Sequence, residues 1–199
     1  MPDPLSQSSL PSRRAITPIV LVGGRSTRFG RDKLLEPWGD DARPLVQRPI
    51  EALRCVFGPH VMLVGDCSDS VRSLGDGSIP DLLPGHGPLG GIVSAISRLH
   101  ADVFVLAGDM PDISPGDVSR ILLDADRAPP TIWAIIGQHL GLHPCIGVYR
   151  HEALDTLRER LAIGRCKLIE ALPPDRVLAC PIPPSAARNI NSPADASPN

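Results

Sequence analysis

Two apolar runs, His60-Val61-Met62-Leu63-Val64-Gly65 and Asp102-Val103-Phe104-Val105-Leu106-Ala107, show no alternation of polar and apolar positions. A strand that is apolar at nearly every position has no face to offer water, so helices must cover both sides of its sheet. A third run, 16–22, holds one Thr and one Pro and reads as a buried strand of the same kind. Further strand candidates are 131–136, 143–149 and 176–180; helix candidates are 44–57, 69–74, 88–99, 115–126, 151–162 and 165–172. This alternation predicts an α/β layered fold with a mostly parallel sheet. Ligands of such sheets bind beyond the carboxyl ends of the strands.

The loop after the first strand sits at such an end. Gly23-Gly24 frees the backbone to turn and bring N–H groups close to a ligand. Arg25, Arg28, Arg31 and Lys33 follow. An amide-rich cationic loop suits a polyphosphate. No Gly-Lys-Ser/Thr closes it, so it is not a Walker A loop. The chain's 20 basic and 22 acidic residues leave a net charge of −2, and no global field favours nucleic acid or a membrane. The anion site is therefore local.

At 199 residues the chain fits one domain with a substantial core. Residues 1–15, with three prolines and four serines, read as a disordered leader, 16–195 as the domain and 196–199 as a loose tail. Ser12-Arg13-Arg14 imitates an export signal, but the apolar run behind it is short and interrupted by Pro18. No stretch approaches the ~20 apolar residues of a membrane span. Five scattered cysteines without a Cys-x-x-Cys suit a reducing cytoplasm rather than a disulfide framework or structural zinc. Cys55, Cys145 and Cys180 read as core filler.

Two more loops fall at the same sheet edge. In the first, Asp81-Leu82-Leu83-Pro84-Gly85-His86-Gly87-Pro88-Leu89-Gly90-Gly91, four glycines in seven residues precede a helix whose N-terminus attracts anions. Gly85-x-Gly87-x-x-Gly90 also matches the dinucleotide fingerprint, and Asp109 lies 19 residues beyond it. A NAD(P)-binding oxidoreductase or binding module is therefore an alternative, weakened by Pro88 inside the motif. The second loop is Gly108-Asp109-Met110-Pro111-Asp112. An Asp at the end of a buried strand beside a polyphosphate suits Mg²⁺, a hard cation that prefers oxygen ligands. Asp109 is the candidate metal ligand, while Asp112 and Ser114 can cap the next helix.

The order of these motifs resembles the nucleotidyltransferase family typified by molybdenum cofactor guanylyltransferase. The similarity rests on Leu21-Val22-Gly23-Gly24-x-Ser26-x-Arg28-Phe29-Gly30-x-Asp32-Lys33, Gly87-Pro88-Leu89-x-Gly91 and Gly108-Asp109-Met110-Pro111. It continues through His143-Pro144-x-x-Gly147-x-Tyr149 and Asn189-x-Asn191-Ser192-Pro193-x-Asp195, covering about 16–195. The resemblance implies a three-layer Rossmann-like nucleotide-diphospho-sugar transferase fold. It implies Mg²⁺-dependent transfer of GMP from GTP to molybdenum cofactor (molybdopterin), with release of pyrophosphate. Leu21, Gly23 and Gly24 would meet the nucleotide through backbone groups, and Arg28 and Lys33 would neutralise phosphates. Asp81 would hold the guanine or ribose, Gly87 and Gly91 would shape the second loop, and Asp109 would hold the metal. Asn189 and Asn191 would lie near the pterin. Molybdenum cofactor delivery proteins or acceptor enzymes are implied partners; nucleic acid and membrane are not.

Departures from the family pattern bear on the base. Val64-Gly65-Asp66-Cys67 stands where relatives often carry an Asn, Phe29 replaces Met, Ser192 replaces Thr, and Gly108 a frequent Cys. The Leu-x-Gly-Gly start favours guanine over cytosine, and a cytidylyltransferase of the same fold is the alternative.

Overall fold

A computed structural model of the chain describes residues 15–23, 32–191 and 195. Arg28, Gly24 and Gly30 of the first loop, nearly all of the 1–15 leader and the 196–199 tail lie outside the described residues. In chain order the elements are β1 (Ile16–Leu21), β2 (Pro37–Trp38), β3 (Arg43–Pro44), α1 (Gln47–Phe57), β4 (Met62–Val64), α2 (Asp69–Arg72) and β5 (Gly77–Ile79). Then come α3 (Gly87–Leu99), β6 (Asp102–Ala107), α4 (Pro115–Arg127), β7 (Ala134–His139), β8 (Gly141–Tyr149), α5 (Leu154–Ala162) and β9 (Val177–Pro181).

Seven strands form one sheet in the order β5-β4-β1-β6-β8-β7-β9, and β2 and β3 form a separate small hairpin. β1 is parallel to β4 and β6, β4 to β5, and β7 to β9; β8 alone runs against both its neighbours. The mostly parallel sheet expected from the apolar runs is present. Successive side chains of a strand point to opposite faces, and the core divides accordingly. Val20, Leu63, Phe104 and Leu106 pack beneath α1 and α4, with Ile50, Leu53, Val118 and Ile121. Ile19, Leu21, Val64, Val103 and Val105 pack beneath α3 and α5, with Leu89, Ile92, Ile96 and Leu157. Two helical layers thus enclose the sheet, and β1 and β6 are buried from both sides. Each large apolar side chain buried in this way contributes about 1.5–3 kcal/mol.

Helix ends obey local chemistry. Ser114 and Asp117 make a reciprocal capping box on α4. Asp112 has no part in that cap and accepts from the Trp38 indole instead. At the other end of α4 the Arg150 guanidinium donates to the carbonyls of Ala125 and Ala128, closing the negative helix end against β8.

Three readings needed correction. The segment 165–172 is no α-helix; a single 3-10 turn, Leu168–Glu170, satisfies its apolar spacing. Leu168, Ala171 and Leu172 are buried while Ile169 is exposed, and Pro173-Pro174 prevent the turn from propagating. The strand placed at 131–136 runs instead over β7, Ala134–His139, because it pairs as a hairpin with β8 through a turn at Leu140 with φ +56°; the strand placed at 143–149 lies within β8. Cys55 is exposed on α1 rather than core filler.

Candidate active site

The order of strands creates the site. From β1 the chain moves outward through β4 to β5, and α3 then carries it back to β6 on the other side of β1. Between β1 and β6 the direction of winding reverses, and a crevice opens beyond their carboxyl ends. A cavity of about 860 Å³ fills this place. Leu21, Gly23, Lys33, Asp81, Gly87, Gly91, Asp109, Asn189 and Asn191 all line it. Every sequence-predicted site residue within the described part of the chain therefore faces one cavity.

Its floor is a short network between three distant segments. The Gly108 N–H donates to the Leu21 carbonyl at 2.9 Å, which sets Asp109 at the mouth of β1. A Cβ on Gly108 would stand 3.2 Å from that carbonyl, a tight contact that the glycine avoids. Lys33 Nζ donates to Asp109 Oδ2 at 2.6 Å and to the Ile190 carbonyl at 3.2 Å. The Ile190 N–H donates in turn to the Asp109 carbonyl at 2.9 Å. Both charged side chains are mostly buried, at 19% and 17% exposure, so this ion pair is only weakly screened.

Lys33 is aimed by its own turn. It opens the 3-10 turn Lys33–Leu35, which Asp32 caps through Oδ1 to the Leu34 N–H. The other oxygen, Oδ2, accepts from Ser68 Oγ at 2.8 Å, joining this turn to the start of α2.

Asp109 Oδ1 is buried and has no hydrogen-bond partner among the described residues. An orphaned buried carboxylate oxygen is costly unless something else satisfies it. No cluster of three or more His, Cys, Asp or Glu side chains surrounds it among the described residues. The donor set is thus one carboxylate facing an open cavity. That fits a Mg²⁺ ion, which is commonly held by one or two carboxylates, substrate phosphates and water.

The second loop forms the opposite wall and is held by local bonds. Asp81 Oδ1 accepts from the Leu83 N–H at 2.9 Å and from Ser94 Oγ at 3.3 Å. Gly87 begins α3 with φ +62° and open space where a Cβ would point. Gly91 works differently: a Cβ there would stand 3.0 Å from Leu21 Cδ2, so this glycine lets α3 lie close upon β1.

Six lining or anchoring residues escaped sequence reading. Gly65, at φ +112°, would place a Cβ 2.6 Å from Gly23 N, so the ends of β1 and β4 meet backbone to backbone. The Val-Gly end of an apolar run was its only signal. Asp32 appeared only as a motif letter, and Asp66 and Cys67 only as a departure, yet all three line the cavity. Cys145 lines it too, and burial, assisted by the Asp109 charge, pushes its thiol up to about 12. Ile190 takes part through backbone atoms, which no residue type reveals.

The dinucleotide fingerprint lacks its structural context. Its unit needs neighbouring strands, but β5 and β6 are separated by β4 and β1. The acidic residue in question, Asp109, is engaged by Lys33.

Known proteins give the same picture. A family model described as "MobA-like NTP transferase domain" matches residues 18–176. A "Probable molybdenum cofactor guanylyltransferase" of Pelotomaculum thermopropionicum is 33% identical over 162 residues, 81% of this chain and 76% of that protein. One of the same name from Chloroflexus aggregans is 31% identical over 164 residues, 80% and 77% of the two chains. The crystal structure of "Molybdopterin-guanine dinucleotide biosynthesis protein A" from Archaeoglobus fulgidus superposes with TM-score 0.71 at 24% identity, covering 91% and 95%, and shares the fold. Among the described residues no helix is long and apolar enough to cross a membrane. With the family match spanning most of its length, the chain belongs to the MobA-like nucleotidyltransferases.

Proposed function

We propose that this chain, as one domain over 16–195, transfers GMP from GTP to molybdenum cofactor in the cytoplasm, releasing pyrophosphate. The names of its relatives support this acceptor and this base. The observation that carries the chemistry is the Lys33–Asp109 pair, 2.6 Å apart in the floor of a cavity at the β1/β6 crevice.

A terminal phosphate oxygen of the pterin substrate attacks the α-phosphorus of GTP. The bond from that phosphorus to the bridging oxygen breaks, and pyrophosphate leaves with the electron pair. No enzyme nucleophile is needed; the protein aligns the two phosphates and offsets the growing negative charge. Backbone groups at Leu21, Gly23 and Gly24 hold the nucleotide. Lys33 and Arg28 neutralise its phosphates, Lys33 leaving Asp109 for a phosphate oxygen. Asp81 holds the guanine or ribose end, with Gly87 and Gly91 shaping that wall. Asn189 and Asn191 face the pterin substrate. Asp109 would hold Mg²⁺, which would supply further charge neutralisation when bound. Delivery proteins or acceptor enzymes exchange the unstable pterin with this site.

A nucleotide panel tests the reading. Purified protein with molybdenum cofactor and Mg²⁺ is expected to release pyrophosphate from GTP and not from CTP or ATP. Turnover of CTP in place of GTP overturns the assignment of the base. Mg²⁺-independent NAD(P) binding that survives Lys33→Ala overturns the reaction class.

A further inference from the structure

Three segments distant in sequence meet on one tryptophan. Trp38 ends β2 of the small hairpin, and its indole N–H donates to Asp112 Oδ1 at 3.2 Å. The Arg188 guanidinium lies over the ring, 5.0 Å from its centroid. Its Nη1 is 3.7 Å from Asp112 Oδ2, and its Nη2 donates to the Asp195 carbonyl at 2.6 Å. Asp112 belongs to the same tight turn as Asp109, three residues further on.

Arg188 immediately precedes the segment Asn189-Ile190-Asn191 at the edge of the cavity. Ile190 is fully buried and tied through its backbone to Asp109 and Lys33. Its neighbours differ: Asn189 and Asn191 are exposed, line the cavity, and have side chains without hydrogen bonds among the described residues. Among the described residues no bond from their own side-chain amides fixes where they point. Their placement depends on the backbone at either side: Arg188 before, and the Asn191 N–H bond to Asp195 Oδ2 at 2.9 Å after. Arg188 also grips Asp195 itself, so both supports run through one guanidinium.

We infer that Arg188 is a positioning residue for the acceptor half of the site: held on Trp38 and Asp112, it sets the two asparagines over the cavity. The inference rests on the proposed role of those asparagines toward the pterin substrate. It requires a planar cation, because a guanidinium can stack on indole while meeting a carboxylate and a carbonyl at its edge, and an ammonium cannot. It also joins the acceptor segment to the turn bearing Asp109, so the two substrates are registered against one structural element.

Steady-state kinetics of the full chain test this, varying the pterin substrate at saturating Mg²⁺–GTP and then the reverse. Arg188→Ala is expected to raise KM for the pterin substrate about tenfold, less than the ~10²-fold that a 1 Å misplacement can bring. Calorimetric binding of Mg²⁺–GTP is expected to stay within about twofold, since Lys33 and Asp109 keep their partners. Arg188→Lys is expected not to restore the acceptor KM. Trp38→Phe, keeping a ring but losing the N–H, is expected to fall between Arg188→Ala and the unsubstituted protein. Equal losses for both substrates that track a fall in Tm, or an unchanged acceptor KM in a folded variant, overturn the inference. If the unsubstituted protein itself shows no GTP-dependent turnover, the guanylyltransferase reading fails, and this role for Arg188 fails with it.

Discussion

The two walls of the cavity are built on opposite plans. The wall carrying Lys33 and Asp109 is held by contacts between segments 76 and 157 residues apart, from Lys33 to Asp109 and from Lys33 to Ile190. The wall carrying Asp81 is held by contacts two and 13 residues apart, to Leu83 and Ser94. A centre assembled from distant elements keeps its geometry only while the whole fold is intact, which suits phosphate chemistry that every nucleotide shares. A wall built from its own neighbours can change its base contacts without disturbing that centre.

Variants on each wall can break or sharpen that contrast. On the shared wall, Lys33→Ala and Asp109→Ala are each expected to lower kcat for pyrophosphate release by ~10²–10³-fold or more, the scale of losing a principal electrostatic group. Gly65→Ala joins the wall to the fold itself. Its Cβ would meet Gly23 N at 2.6 Å from a φ of +112°. A loss of about 1–3 kcal/mol in denaturant unfolding is expected, with weaker GTP binding. On the local wall, Asp81→Asn keeps an oxygen for Leu83 and Ser94 but removes the charge. KM for GTP is expected to rise about tenfold or less, with Tm nearly unchanged. An equal collapse of kcat in Asp81→Asn would erase the contrast between the walls.

The smallest effect concerns Cys145. With its thiol pushed up to about 12, it is a neutral thiol at pH 8. Iodoacetamide at that pH is expected to label exposed Cys55 first and leave Cys145 intact by peptide mass mapping. Labelling of Cys145 becomes appreciable only as pH rises toward that value.

Much of this was legible from residues because each piece was local. The apolar runs announced β1 and β6, and the glycines and charges at their ends marked the loops. β5 was missed because Gly77-Ser78-Ile79 is three residues long with one apolar side chain, and it owes its strand character to pairing with β4. The region 165–172 was misread because helical spacing over one turn cannot report the two prolines' veto on the next. Among site residues, Lys33 and Asp109 were identifiable singly, but not their meeting, which depends on the Gly108–Leu21 bond across two strands. Asp112 has the residue type of a helix cap, and only the fold brings Trp38 and Arg188 to it.

The central claim is that Lys33 and Asp109 act as one unit upon the transferred phosphate. A double-mutant cycle on pyrophosphate release tests it most directly, comparing Lys33→Ala, Asp109→Ala and the double variant at saturating GTP, Mg²⁺ and pterin substrate. Groups that act as a unit are strongly non-additive, so the double variant is expected to be no slower than the worse single one. Losses that multiply, or a single variant that retains full kcat, would contradict the account.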